Sequence, residues 1–376
     1  MTEIHKILAD IVSNKNKQIE EWFQNEYRDV NPMFFSSVDI RDSGSKVAPI
    51  DTNVFPAGFN NISTEDLPDI GARAQNFLDS CKVGNKILLI PEEHTRNQFY
   101  LDSLQALKKI LEHGGREVEI STQDGLIQNG GVLEIAATKF IPDVIVLNND
   151  FSGGAPDILK DIEQPIMPHL SYCWDSRTKS QHFASYQNIL ERFCSEFSVD
   201  PFFLSAKFFN CGNVDFQSSQ GLDCVANYVD KMMFLLKEEY KKHGIDDDPY
   251  VFVKADSGTY GLGIMSVSSG DEIHEMNRKN RKKMHVIKDG MVNNKVIIQE
   301  GIRTEIQHEG SSAEPMIYML GGKPIQNLLR INSAKDAFSN LNRSGARFIK
   351  KNLQNQHSYN IVSRLASLAA AKEKLI

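Results

Sequence analysis

The chain predicts an α/β fold that passes into α+β in its C-terminal half, and three stretches carry that prediction. Residues 85 to 148 alternate apolar runs with an amphipathic one: KILLIPEE, NQFYLDSLQALKKILEHGG, REVEIST and DVIVLNND. Residues 251 to 301 read as strand, glycine-rich loop and returning strand, VFVKADSGTYGLGIMSV and then VIIQEG. Residues 314 to 332, EPMIYMLGGKPIQNLLRIN, read as two strands about a Gly-Gly turn. A length of 376 residues, 41% of them hydrophobic, is enough for two or three domains with full cores. The pattern divides at 1–82, 83–170, 171–249 and 250–376.

Composition excludes several classes. A net charge of -7 and a pI near 5.8 argue against a general nucleic-acid binder, which needs a broadly basic face. The five cysteines show no CxxC spacing, so neither a disulfide framework nor a structural zinc site is expected, and a reducing cytoplasm fits best. No apolar run reaches the 18 or so residues of a membrane span, so membrane insertion is not expected.

In chain order, residues 3–28 carry Ile4, Ile7, Leu8, Ile11, Ile19 and Trp22 near one face of a helix. Residues 36–63 mix prolines, glycines, asparagines and charges without periodicity and read as a long ordered loop. Arg41, Lys46, Asp51, Asn53 and Asn61 in that segment could ligate a small zwitterion. The 85–148 unit is Rossmann-like in pattern but lacks a glycine fingerprint after KILLI, which makes it scaffold rather than a dinucleotide site. Residues 171–245 read as mainly helical. Asp175, Arg177, Lys179 and His182 crowd the start of a helix there, a place that attracts phosphate or carboxylate. His182 lacks a second ligand at metal spacing and reads as a packing or hydrogen-bonding residue. Residues 277–290 are a basic excursion, either an exposed face or a lid over an anion. The alanine-rich end, from Tyr359, is a helix expected to dock on the body or on another subunit.

The motifs that carry chemistry lie in the last third. Lys254 ends an apolar strand and enters a loop holding Ser257, Gly258, Gly261 and Gly263. Such a loop can bring backbone N–H groups close to phosphate oxygens while the lysine neutralises them. It is neither a P-loop nor a Rossmann turn. After the hairpin, a loop delivers Asp336, Asn340, Asn342, Arg343 and Arg347 together, hard oxygens beside guanidinium groups, as phosphoryl transfer requires.

The order of lysine strand, glycine loop, QEG strand, hairpin, arginine strand and asparagine loop resembles the ATP-grasp fold of carboxylate-amine ligases, with an N-terminal Rossmann-like domain. RDSGSK, DTNVFPAGFNN, WDSRTKSQHF, VFVKADSGTYGLGI and LLRINSAKDAFSNLNRSGARF resemble the proteobacterial ATP-grasp glutamate-cysteine ligases in particular. That resemblance implies ATP and Mg2+ as cofactors and glutamate and cysteine as small-molecule substrates. The γ-carboxylate is phosphorylated and the cysteine amine attacks the acyl phosphate, in the first step of glutathione biosynthesis. It further implies that Lys254 and Lys179 contact phosphates, and that Gln299, Glu300 and Ile302 receive adenine and ribose, with Glu305 as the alternative ribose ligand. Arg330 would stabilise the transferred phosphoryl group, and Arg41, Asn61, Arg177, Arg343 and Arg347 would serve the substrates. The family's Glu-x-Asn metal pair is here the neutral Asn340 and Asn342, so Glu314 and Asp336 are candidates for the missing carboxylates. Another ligase of the same fold, such as a glutathione synthetase, and a non-catalytic nucleotide-binding protein remain open on this evidence.

Overall fold

A computed structural model describes residues 2–93, 96–257, 263–286 and 292–374. The chain is a mixed α/β structure built on several sheets. The largest is antiparallel, in the order Arg347–Lys350, Lys323–Ile331, Ser311–Leu320, Phe35–Asp42 and Val47–Asn53, with the short Gln307–His308 strand paired beside Ser311–Leu320. A parallel sheet is ordered Glu117–Ile120, Lys86–Pro91, Val144–Asn148 and Ile166–Met167. A second antiparallel sheet, here the clamp sheet, is ordered Ile264–Val267, Val251–Ala255, Lys295–Glu300 and Phe208–Gly212.

The expected hairpin forms with Gly321 and Gly322 as its two-residue turn. Both have positive φ (56° and 74°), the geometry whose twist matches the flanking strands and which only glycine adopts without cost. Both faces of the large sheet are covered. Val38, Ile40, Ile317 and Met319 face the helices Glu3–Glu26, Lys179–Phe197 and Gln356–Lys372. Phe35, Met316, Tyr318 and Leu328 face the helices Leu67–Ser80 and Gln98–Leu111 and, beyond them, the parallel sheet.

Two expectations change. Residues 36–63, read as a loop, contribute two strands, one of them central in the large sheet. Their signal is lost because Asp39, Arg41, Asp42 and Lys46 are buried in ion pairs, so polar residues occupy positions where a strand's apolar alternation would show. Cys211 and Cys224 are paired as a disulfide, where none was expected, and Cys81, Cys173 and Cys194 are free. The C-terminal helix docks on the body itself. Ser363, Ala366, Ser367, Ala369 and Ala370 are buried, and side chains that small let it lie close against the large sheet. Among the described residues, no helix is long and apolar enough to cross a membrane.

Candidate active site

The second face of the large sheet is apolar at one end and charged at the other. Alternation puts Glu314 two residues from Met316 on one strand and Arg330 two residues from Leu328 on the next. Arg330 grips Asp39 with two bonds, of 2.7 and 3.0 Å, and Glu314 with a third of 2.7 Å. Arg41 reaches the other oxygen of Glu314 at 2.5 Å and donates to the carbonyls of Ala337 (3.0 Å) and Ser339 (2.6 Å) in the asparagine loop. Burial opposes the charge on Arg330, yet Asp39 and Glu314 outweigh it and hold the guanidinium more firmly protonated than usual. Burial pushes the Asp39 carboxyl up despite Arg330, with Glu314 and Asp51 adding to the rise.

The clamp sheet meets this floor along a seam. Lys254, at the end of its strand, bonds Gln299 Oε1 on the neighbouring strand at 2.7 Å and the carbonyl of Ile50 on the large sheet at 3.2 Å. Burial lowers its pKa to about 8, although Asp51 works against the fall. Lys179, the first residue of its helix, pairs with Asp51 at 2.7 Å and lies 4.9 Å from the centroid of Trp174. Burial alone would raise Asp51, but Lys179, Lys254 and Arg177 pull it down to about 2. The helix N-terminus, expected to draw an anion, already has one. Asp256, directly after the Lys254 strand, accepts from the N–H and hydroxyl of Ser180, both at 2.7 Å, and its carbonyl accepts from the N–H of Lys179. This ties Lys179 to the start of the glycine loop. Ser257 is half-buried beside it and Gly263 closes the loop with φ of 59°, while Gly258 and Gly261 lie outside the described residues.

In the connecting segment, Gln299 is buried with its amide nitrogen unpartnered. Glu300 is engaged by three donors: Lys46 at 2.6 Å, the Tyr240 hydroxyl at 3.0 Å and the N–H of Lys207 at 3.0 Å. The Lys46 ammonium also lies 3.9 Å from the centroid of Phe202. Ile302 packs on Ala48 and Ala206, and Glu305 is exposed with its carboxylate over Gly44.

The other expected residues divide. Arg343 donates to the carbonyl of Ile264, bridging the asparagine loop to the clamp sheet at 3.2 Å. Arg177 lies near the lysines but is engaged by Glu373 (2.6 and 3.3 Å) and the carbonyl of Thr52 (3.0 Å). His182 hydrogen-bonds the same glutamate at 2.9 Å, in keeping with its expected packing role. Asn61 bonds locally to the carbonyl of Gly58, and Arg347 is exposed and paired with Glu309.

The four residues considered for magnesium do not form a cage as they stand. Glu314 has both oxygens on arginines, Asp336 caps its own turn through the N–H of Phe338, and Asn340 accepts from the N–H of Asn342. Among the described residues, no group of three or more Asp, Glu, His or Cys could hold a metal ion.

Sequence reading missed Asp39 and the Lys46–Glu300 pair, and the one available signal was the density of charge in RDSGSK within a segment otherwise taken for a loop. Around the seam, Arg41, Arg330, Lys179 and Lys254 stand among Asp39, Asp51, Asp256 and Glu314, so four cations are matched by four carboxylates. Lysine and arginine side chains gathered at a seam between two sheets suit an enzyme acting on small anions.

The comparisons identify its class as a ligase. The glutamate-cysteine ligase family matches residues 9–374. A solved structure, of a candidate γ-glutamylcysteine synthetase from Methylobacillus flagellatus KT, is 34% identical over 99% of this chain and 95% of that chain, with a TM-score of 0.88. A glutathione synthetase-like effector from Globodera pallida is 11% identical over 88% of this chain and 78% of that one, TM-score 0.39. D-alanyl-alanine synthetase A from Vibrio cholerae is 14% identical over 75% and 79%, TM-score 0.34. Overlaps that loose bear on nothing further. A comparison with curated protein sequences found no match. The chain belongs to the glutamate-cysteine ligase family, and it is a carboxylate-amine ligase that joins glutamate to cysteine.

Proposed function

We propose that this ligase has the ATP-grasp fold, with residues 83–170 as its Rossmann-like N-terminal domain, and works through an acyl phosphate. ATP phosphorylates the γ-carboxylate of glutamate. The cysteine amine then attacks the acyl carbon, phosphate leaves, and γ-glutamylcysteine forms. The observation that carries this reading is the gathering of two buried lysines at the seam, Lys179 paired with Asp51 and Lys254 held by Gln299 and the Ile50 carbonyl within the field of Asp51, beside the Arg330 network. Asp51 offsets lysine charge that nucleotide phosphates would take over.

In this reading the nucleotide lies under the glycine loop. Glu300 already accepts from three donors, and the base goes to the backbone of the connecting segment, where the N–H of Ile302 carries no hydrogen bond among the described residues. The ribose then falls to Glu305. Arg330, a permanent cation fixed by two carboxylates, stabilises charge developing on the transferred phosphoryl group and on the tetrahedral oxyanion. Arg343 closes the cleft from the asparagine loop, and Asn61, Arg177 and Arg347 act at most through their neighbours. Magnesium would enter on the nucleotide phosphates, which supply most of its ligands, and no step here runs through it.

Glutamate labelled with 18O in the γ-carboxylate tests the intermediate: one labelled oxygen must appear in the released phosphate, and unlabelled phosphate would sink the acyl-phosphate route. ADP release should require glutamate and cysteine together. Lys254→Ala should lower kcat/KM for ATP by about 100-fold, in the range for loss of one charge-stabilising donor.

A further inference from the structure

We infer that Asp51 receives the α-ammonium group of the glutamate substrate, with Asp39 across the strand pair deepening the negative potential there. The inference rests on the ligase reading above and names one subsite within it.

Asp39 and Asp51 are direct partners in the antiparallel register of Phe35–Asp42 and Val47–Asn53, so their side chains leave the same face of the sheet. Like charges directly opposite each other destabilise a strand pair, and each therefore needs its own cation. Asp39 has one, since both its oxygens are held by Arg330. Asp51 is only half provided for. Its Oδ1 takes Lys179, and its second oxygen has no hydrogen bond among the described residues. It is also the open member of the group, with 37% of its side chain exposed against 11% for Asp39 and 1% for Glu314. A solute entering the cleft meets the floor's negative charge at Asp51.

Nucleotide binding strengthens the case, because phosphates that draw off Lys179 and Lys254 leave this carboxylate seeking a cation. Chemistry selects which substrate supplies it. Cysteine must attack as a neutral amine, so its nitrogen cannot be held as an ammonium. The α-ammonium of glutamate takes no part in bond making and stays protonated throughout. Burial raises Asp51, but neighbouring cations outweigh it and hold the carboxyl at about 2; an ammonium arriving as the lysines are drawn off acts in the same direction, so Asp51 holds the ammonium without taking its proton.

Glutarate, which is glutamate without the ammonium group, provides the test. With the complete enzyme at saturating ATP and cysteine, Asp51→Asn should lower kcat/KM for glutamate by about 30- to 100-fold, as expected for losing a hydrogen bond to a charged group. It should lower kcat/KM for glutarate by a much smaller factor, the part owed to loosening Lys179, so that the wild-type preference for glutamate collapses. Equal losses for both substrates, or a rise confined to the KM for ATP, would overturn the assignment and make Asp51 merely a holder of Lys179. Should Asp51→Asn not fold, Asp51→Glu replaces it. That variant keeps the charge but displaces it by one methylene, so the loss should still fall more on glutamate than on glutarate, and equal losses there also overturn the proposal. Wild-type enzyme that releases no ADP with glutamate and cysteine would instead defeat the underlying reading, whatever Asp51 does.

Discussion

Lys254 shows how a single buried charge sets the working range of a site. Its ammonium is enclosed by Gln299, the Ile50 carbonyl and the floor, and burial brings its pKa down to about 8. Below that pH the lysine is cationic and can meet phosphate, and above it the charge is lost. The kcat/KM for ATP, which reports the free enzyme, is therefore expected to fall as pH rises through about 8, and Lys254→Arg should abolish that limb. A profile flat well beyond pH 8 in the wild type would remove Lys254 from phosphate binding. The place of Lys254 on a buried strand was legible in sequence because a lysine closing an apolar run before clustered glycines is a local pattern. Asp39 and the partnering of Glu300 were not. Their meaning lies in partners 291 and 254 residues away along the chain, and no window of sequence contains such a pair.

At the level of elements, Arg41 ties the asparagine loop to the floor, beside Asn332, which donates to the loop's Leu341 carbonyl. Arg41 donates to two of the loop's carbonyls while its third nitrogen meets Glu314, so this arginine joins the floor to the loop that carries Asn340, Asn342 and Arg343. All three of its nitrogens face the protein, an arrangement that suits a positioning role. A lysine cannot reproduce a planar fork that addresses three acceptors. Arg41→Lys is expected to lower kcat by roughly 10- to 100-fold, a scale on which small misplacement of a catalytic group is felt. It should also quicken proteolytic cleavage between residues 333 and 346. Unchanged kcat and unchanged cleavage would show that the loop stands without it. The hairpin before this loop was readable from its Gly-Gly turn and apolar strands. The strands at 35–42 and 47–53 were not, because their polar residues are satisfied by one another rather than by water.

Across the whole molecule, the two ends of the chain meet at the site's foundation. The first helix and the last pack together on one face of the large sheet, and Glu373, just past the last helix, anchors Arg177 and His182 beneath the Lys179–Asp51 pair. Burial would raise the Glu373 carboxyl, but Arg177 and His182 depress it to about 2, below its ordinary value of 4.5. A depressed carboxyl stabilises the fold above its unfolded pKa, so this contribution is present at neutral pH and is lost as pH falls from about 4.5 toward 2. Glu373→Gln leaves Arg177 buried without its counter-charge and should cost about 3–5 kcal/mol, measured by urea unfolding at pH 7. Unaltered stability would mean the arginine finds another partner.

What could be read along the chain was everything carried by local spacing: the α/β alternation of residues 85–148, the lysine before the glycine loop, the Gly-Gly hairpin and the family motifs that point to glutamate and cysteine. The composition of the floor was a matter for the folded chain alone. Asp39, Arg41, Glu314 and Arg330 become one network only because the strand at 35–42 pairs with the strand at 311–320, and a buried charge takes its role from whichever partner the fold brings within reach.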